Sequence, residues 1–141
     1  MNVEGYGRLG TIYYKELLDR RSRYANNDTA LMYFRKGAYA GDGYSQTRLA
    51  LCLKDTWAIG GFKLNADSAF YWAETAYKNN YFEGAATLAE MYREGVGVAK
   101  EGKKAEKLYK EALKNNDYYG GVRNNLFIEF DMGLLLRDET Y

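Results

Sequence analysis

The stretch Glu94–Lys104, EGVGVAKEGKK, carries Gly97-x4-Gly102-Lys103-Lys104. A phosphate cradle of the form G-x4-G-K-[ST] needs a strand feeding the loop, inward-turned backbone N–H groups and a hydroxyl for magnesium. Lys104 stands where the hydroxyl belongs, and no alternating strand pattern occurs in the chain to build the sheet. The stretch therefore reads as a turn between helices, its glycines serving the backbone. A second constellation is acidic: Glu83, Glu90 and Glu94 recur along one helical stretch, with Asp55 a candidate neighbour in the folded stack. Two carboxylates roughly 5–10 Å apart in a cleft can act as general acid and base. Carboxylates on solvated helix faces are far commoner, and that is the reading adopted. Lys103, Lys107, Lys110 and Lys114 share a helical face that could attract an anion. Glu106–Lys110 and Lys107–Glu111 are opposite-sign i,i+4 pairs, however, the usual dressing of a solvated face.

Composition narrows the chemistry further. Histidine is absent, which removes the usual general base near neutral pH, every Ser-His-Asp or Cys-His arrangement and the commonest zinc ligand. No catalytic residue, metal site or cofactor is expected. The single cysteine, Cys52, lies in the apolar run RLALCLK; it excludes an intrachain disulfide and reads as a buried thiol. Twenty basic side chains face 19 acidic ones, a formal charge of +1, so the cationic surplus that non-specific nucleic-acid binding draws on is missing. No apolar run approaches the roughly 20 residues of a membrane span. The start, MNVEGYGRLG, shows no basic segment followed by an apolar core. The expectation is a cytoplasmic protein without nucleic-acid or membrane partners.

The elements that position these residues repeat along the chain. ALMYFRKGA (30–38), AFYWAETAY (69–77) and AEKLYKEAL (105–113) each place apolar or small residues at offsets +3, +4, +7 and +8 from an alanine. This is one buried helical stripe written three times, with starts 39 and then 36 residues apart. Asn26 and Asn65 precede two of these alanines by four residues, where a side-chain oxygen caps a helix. Gly41, Asn80 and Asn116 follow them by 11, as stop residues. Between these helices, GYGRLGTIY (5–13), SQTRLALCL (45–53) and GAATLAEMY (84–92) share small-x3-Leu-small-x2-(Tyr/Leu), with the leucines 40 and 39 residues apart. The small residues Gly5, Gly10, Ser45, Ala50, Gly84 and Ala89 would let neighbouring helices approach closely. The abundance of tyrosine and glycine, 15 of each, with no proline, agrees with closely packed helices. A fourth copy begins near GVRNNLFIEFDMG, with Val122, Leu126, Phe127 and Phe130 as its stripe.

The pattern predicts seven helices over 5–24, 28–40, 45–57, 66–79, 83–94, 102–115 and 121–136. The fold class is all-α: a right-handed α-α superhelix (solenoid) of three helix-turn-helix repeats plus a C-terminal capping helix. The boundaries describe a single domain over 1–141, with units at about 5–44, 45–83 and 84–119 and the capping helix in 120–141.

GAATLAEMYREGVGVAKEGKKAEKLYKEALKNN resembles the Sel-one-like repeat, a relative of the tetratricopeptide repeat. Gly95, Gly97, Val98, Lys104, Ala105, Tyr109 and Ala112 fall on its signature positions. The other two copies keep the stripes but replace the G-x-G-V turn with AIGGFKLNADS and ELLDRRSRYANND. The resemblance implies a scaffold for protein–protein contacts whose first helices line a concave groove. Groove positions carried across the repeats are Thr11, Tyr14 and Lys15; Tyr44, Thr47, Lys54 and Asp55; Glu90, Arg93 and Glu94; and Asn124 and Asp131. Ile128, Met132, Leu135 and Leu136 form an apolar patch on the last helix, available for a homodimer or a partner unless the tail RDETY covers it.

The expected function is non-catalytic: a module that binds another protein, as an adaptor or as a toxin-neutralising immunity or inhibitor protein. The alternative, an enzyme or binding protein for cell-wall fragments or β-lactams, follows from cysteine-rich members of the family. Those carry paired cysteines in each repeat, whereas this chain has Cys52 alone.

Overall fold

The computed structural model describes residues 3–14, 26–54, 65–81, 83–119 and 133. These form α1 (Val3–Tyr13), α2 (Asn27–Tyr39), α3 (Gly43–Lys54), α4 (Ala66–Lys78), α5 (Gly84–Glu94) and α6 (Gly102–Tyr119), with no strand among them. Each helix packs on the next, most extensively α1 with α2, α3 with α4 and α5 with α6, an arrangement compatible with three helix pairs. In addition α1 touches α3 and α3 touches α5 by close approach of their backbones, while the even-numbered helices meet through long side chains, Tyr39 with Trp72 and Tyr77 with Glu111. The odd helices thus converge into an inner row and the even helices splay outside it, the curvature of an α-α superhelix.

Local chemistry explains the helix ends. Asn26 and Asn65 sit in extended backbone, and their side chains accept the N–H of Thr29 and Ser68, each at 3.1 Å. Gly41 and Asn80 follow α2 and α4 at positive φ. Gly95 closes α5 at φ 74°, and Gly97, at φ 69°, turns the chain where a Cβ would collide with the Ala66 carbonyl and Phe70. The G-x-G of EGVGVAKEGKK is a close-approach turn fed by helix α5.

One backbone bond recurs at every odd-to-even junction. The N–H of Asn26 donates to Tyr13, that of Asn65 to Leu53 and that of Glu101 to Tyr92, at 2.9, 3.0 and 3.0 Å. The acceptors share one repeat position, four residues after Leu9, Leu49 and Leu88.

The core holds the predicted stripes: Ala30, Phe34 and Ala38; Ala69, Trp72, Ala73 and Ala76; Ala105, Leu108, Tyr109 and Ala112, all buried. Small residues mark the crossings: Gly10 lies against Phe34, Gly37 against Ser45, and Gly84 against the backbone of Ala76 and Tyr77. Two predicted boundaries are corrected. Helix α1 ends at Tyr13 rather than 24, because Tyr14 has left the helix and the Tyr13 carbonyl accepts Asn26. Helix α6 runs through Asn116 to Tyr119, up to the first glycine that follows. The predicted capping helix over 121–136 lies outside the described residues apart from Gly133, which is helical. No helix among the described residues is long and apolar enough to cross a membrane.

Candidate functional site: the inner face of α1, α3 and α5

On α3 the strip left uncovered by neighbouring helices runs through Tyr44, Arg48 and Leu51, spaced by four and three residues. Thr11 on α1 and Glu83, Glu90, Arg93 and Glu94 on or beside α5 flank it. Polar links step across this face. The hydroxyls of Thr11 and Tyr44 lie 2.6 Å apart, and Thr11 also donates to the Gly7 carbonyl. The Arg48 guanidinium stands 5.1 Å over the Tyr44 ring and 3.8 Å from Glu83. Its Nε is buried without a hydrogen-bond partner. Lys54, its side chain 6% exposed, reaches Glu94 at 3.1 Å and Glu90 at 3.5 Å. Arg93 pairs with Glu94 at 3.2 Å and donates Nε to the hydroxyl of buried Tyr109 on α6.

At the N-terminal ends of the inner helices, Arg8, Asp42, Tyr44 and Tyr81 line a cleft of about 440 Å3. The Asp42 carboxylate caps α3 by accepting the N–H of Ser45. Burial, reinforced by the Glu83 carboxylate, pushes the Tyr81 phenol well above its ordinary 10.0, so it stays protonated at neutral pH. Arg8, Arg48 and Tyr81 were not singled out in the sequence. Arg48 falls one turn after Tyr44, and its role depends on Glu83 arriving from the next helix pair.

The structure brings together Thr11 with Tyr44, and Lys54 with Glu90, Arg93 and Glu94. It corrects two groove assignments. Tyr14 is buried, edge-on to Phe34 with ring centroids 6.1 Å apart, because the chain leaves the helix there and the ring drops into the core. Thr47 is fully buried and its hydroxyl donates back to Gly43, so it lies inside the stack and not on the inner face. Lys15, Asp55, Asn124 and Asp131 lie outside the described residues, as do Ile128, Met132, Leu135 and Leu136.

The carboxylates of this face each meet a cation: Glu83 meets Arg48, and Glu90 and Glu94 share Lys54 and Arg93. Among the described residues no three acidic or cysteine side chains gather as a metal site. On α6, Glu106 pairs with Lys110 at 3.0 Å, whereas Glu111 accepts the hydroxyl of Tyr77 at 2.6 Å. Lys104, the residue in the hydroxyl slot of the phosphate pattern, lies 4.8 Å over the Tyr92 ring.

No protein-family model matches the chain, and no curated protein does. Solved structures do. A Sel1 repeat protein from Oxalobacter formigenes superposes with a TM-score of 0.69 at 22% identity, over 94% of this chain and 47% of that one. A protective antigen of uropathogenic Escherichia coli strains that displays an SLR fold gives 0.73 at 22% identity, over 97% of this chain and 26% of that one. The chain therefore spans about half and a quarter of these relatives' lengths. At this identity the likeness shows the architecture: the chain has the Sel1-like repeat fold.

Proposed function

We propose that the chain is a protein-binding repeat module whose inner face, built by α1, α3 and α5, receives a partner protein. The observation that carries this reading is the set of cross-helix links that hold Thr11 with Tyr44, Arg48 with Glu83, and Lys54 with Glu90 and Glu94. Side chains ordered before binding lose little entropy when a partner arrives. A face that mixes tyrosine, arginine and carboxylates has the make-up of protein interfaces. The role is to mask or to join: an immunity or inhibitor protein covers its target's working surface, whereas an adaptor holds two proteins together.

The experiment immobilises the full chain beside Arg48→Glu and Glu94→Arg variants and identifies what each retains from an extract of the source cells. A protein held by the wild type and lost from both variants supports the reading. Equal retention by all three, with melting temperatures matched, rejects it. If the captured partner has an activity that the chain suppresses, the masking role stands. If a third protein is recovered only through the chain, the joining role does.

A further inference from the structure

The outward ridge of each even-numbered helix falls at the same four repeat positions, counted −2, +2, +5 and +9 from the alanine that leads its buried stripe. On α2 these are Asp28, Met32, Arg35 and Tyr39; on α4 they are Asp67, Tyr71, Glu74 and Lys78. All are exposed except Glu74, which is half-buried and pairs with Lys78 at 3.1 Å. On α6 the same four positions are Lys103, Lys107, Lys110 and Lys114, all exposed. Helix packing asks nothing of these positions, since three such different sets fill them in one architecture.

The four lysines are an unfavourable choice for the helix that carries them. Asp28 and Asp67 stand in the first turns of α2 and α4, where the helix dipole favours negative charge; α6 has no acidic residue there and places Lys103 instead. Lys103–Lys107 and Lys110–Lys114 are like-charge pairs one turn apart, which disfavour the helix. Glu106 holds Lys110 at 3.0 Å, but Glu111, the i+4 partner expected for Lys107, is committed to the hydroxyl of Tyr77 on α4. Lys103, Lys107 and Lys114 are left without an ion pair among the described residues. They lie along about 16 Å of helix, beside a shallow groove of about 390 Å3. Local rules broken without a gain in packing are the mark of a working surface.

We propose that this lysine ridge is a second docking surface, separate from the inner face, which takes an acidic helix of a partner protein. The occupant's chemistry follows from the ridge itself. Carboxylates at i, i+4, i+7 and i+11 of a helix advance with the same rise as the lysines, so an acidic stripe laid along α6 meets each ammonium group. Glu106 and Glu111 line the same groove, and a phosphate backbone, charged at every step, would meet them too. No arginine, the usual fork for phosphate, shares the ridge, and no apolar or aromatic side chain stands there to enter a lipid surface. With a formal charge of only +1, the chain lacks the wider cationic field that draws in nucleic acid.

The test titrates the full-length chain into a fluorescent, alanine-based helical peptide with glutamate at i, i+4, i+7 and i+11, at low ionic strength. The expected result is saturable binding that weakens at least tenfold when the same glutamates are redistributed around the peptide helix. It weakens as much in a chain carrying Lys103→Gln and Lys107→Gln. Arg35→Gln with Lys36→Gln, which removes the same charge from α2, should change it less than twofold. The lysine variant should melt at or above the wild-type temperature, so that lost binding is not lost folding. No saturable binding, equal binding of the redistributed peptide, or an equal loss in the α2 variant would overturn the proposal. So would a lower melting temperature of the lysine variant, because the ridge would then serve the fold. A single-stranded oligonucleotide or phosphatidylserine vesicles that bind more tightly than the peptide, with the same dependence on Lys103 and Lys107, would also overturn it, because the ridge would then be a phosphate surface.

Discussion

Gln46 donates its side-chain amide to the carbonyl of Ala38 at 3.1 Å, and its own oxygen accepts the side-chain N–H of Asn79 at 3.2 Å. A residue of α3, 2% exposed, thereby ties the end of α2 to the end of α4. Replacing it with leucine keeps the volume but removes both bonds. The Ala38 carbonyl keeps the Gly41 N–H and the exposed Asn79 amide turns to water, so only the net worth of two bonds, about 0.5–1.5 kcal/mol each, is lost, and chemical denaturation of Gln46→Leu should show a loss of about 1–3 kcal/mol. A variant as stable as the wild type would mean that the bridge contributes nothing net.

Leu9 and Leu88 occupy one repeat position in different surroundings. Leu88 is 4% exposed, so Leu88→Ala should destabilise the chain by about 2–5 kcal/mol, as deletion of a packed core side chain does. Leu9 is partly exposed, and Leu9→Ala should cost less than half as much. The same denaturation series compares the two; equal losses would mean that the difference in burial does not set the cost.

Gly95 and Gly97 both adopt positive φ but differ in what surrounds them. An added methyl at Gly95 meets the flexible Lys100 side chain, whereas at Gly97 it meets the Ala66 carbonyl and the Phe70 Cβ. Gly95→Ala should therefore cost about 1 kcal/mol, from backbone conformation alone. Gly97→Ala adds overlap with neighbours that cannot move aside and should cost about 2–4 kcal/mol. Thermal melts that rank the two the other way would refute the close-approach role.

The Tyr77 phenol is raised above 10.0, first by its hydrogen bond to Glu111, then by burial and by the same carboxylate's charge. The folded state holds this proton more tightly than the unfolded chain. Its stabilising contribution is therefore complete below pH 10 and fades as pH rises through the folded value. In a carbon-13 NMR titration of labelled tyrosine, Tyr77 should ionise later than an exposed tyrosine, and Glu111→Gln should bring it back toward 10.0. An unmoved Tyr77 midpoint would dismiss the Glu111 bond as the cause.

Much of the architecture was readable because helices write their contacts locally. The alanine-led stripes, the Asn26 and Asn65 caps and the G-x-G turn each depend on residues within about two turns of one another. Where the reading failed, the deciding partner was distant in sequence. Leu17 and Leu18 prolong the apolar period past Tyr13, so the end of α1 is set by Asn26 returning to the Tyr13 carbonyl, which no periodicity reveals. The inner face was half legible. Tyr44, Lys54 and Glu94 followed from repeat register, but at roughly 100° of rotation per residue small errors of position turn a side chain into the core. Thr47 and Tyr14 are such cases. Arg48 became visible only once α5 set Glu83 beside it.

The backbone bond shared by Asn26–Tyr13, Asn65–Leu53 and Glu101–Tyr92 closes junctions of unequal size, spanning residues 14–25, 54–64 and 93–100. The same hand-over bond is thus reached with 12, 11 or 8 residues between the bonded positions. What the three junctions have in common is therefore the bond between their ends, not the length of chain that separates them, and lengthening a loop adds only slowly to the entropy of closing it.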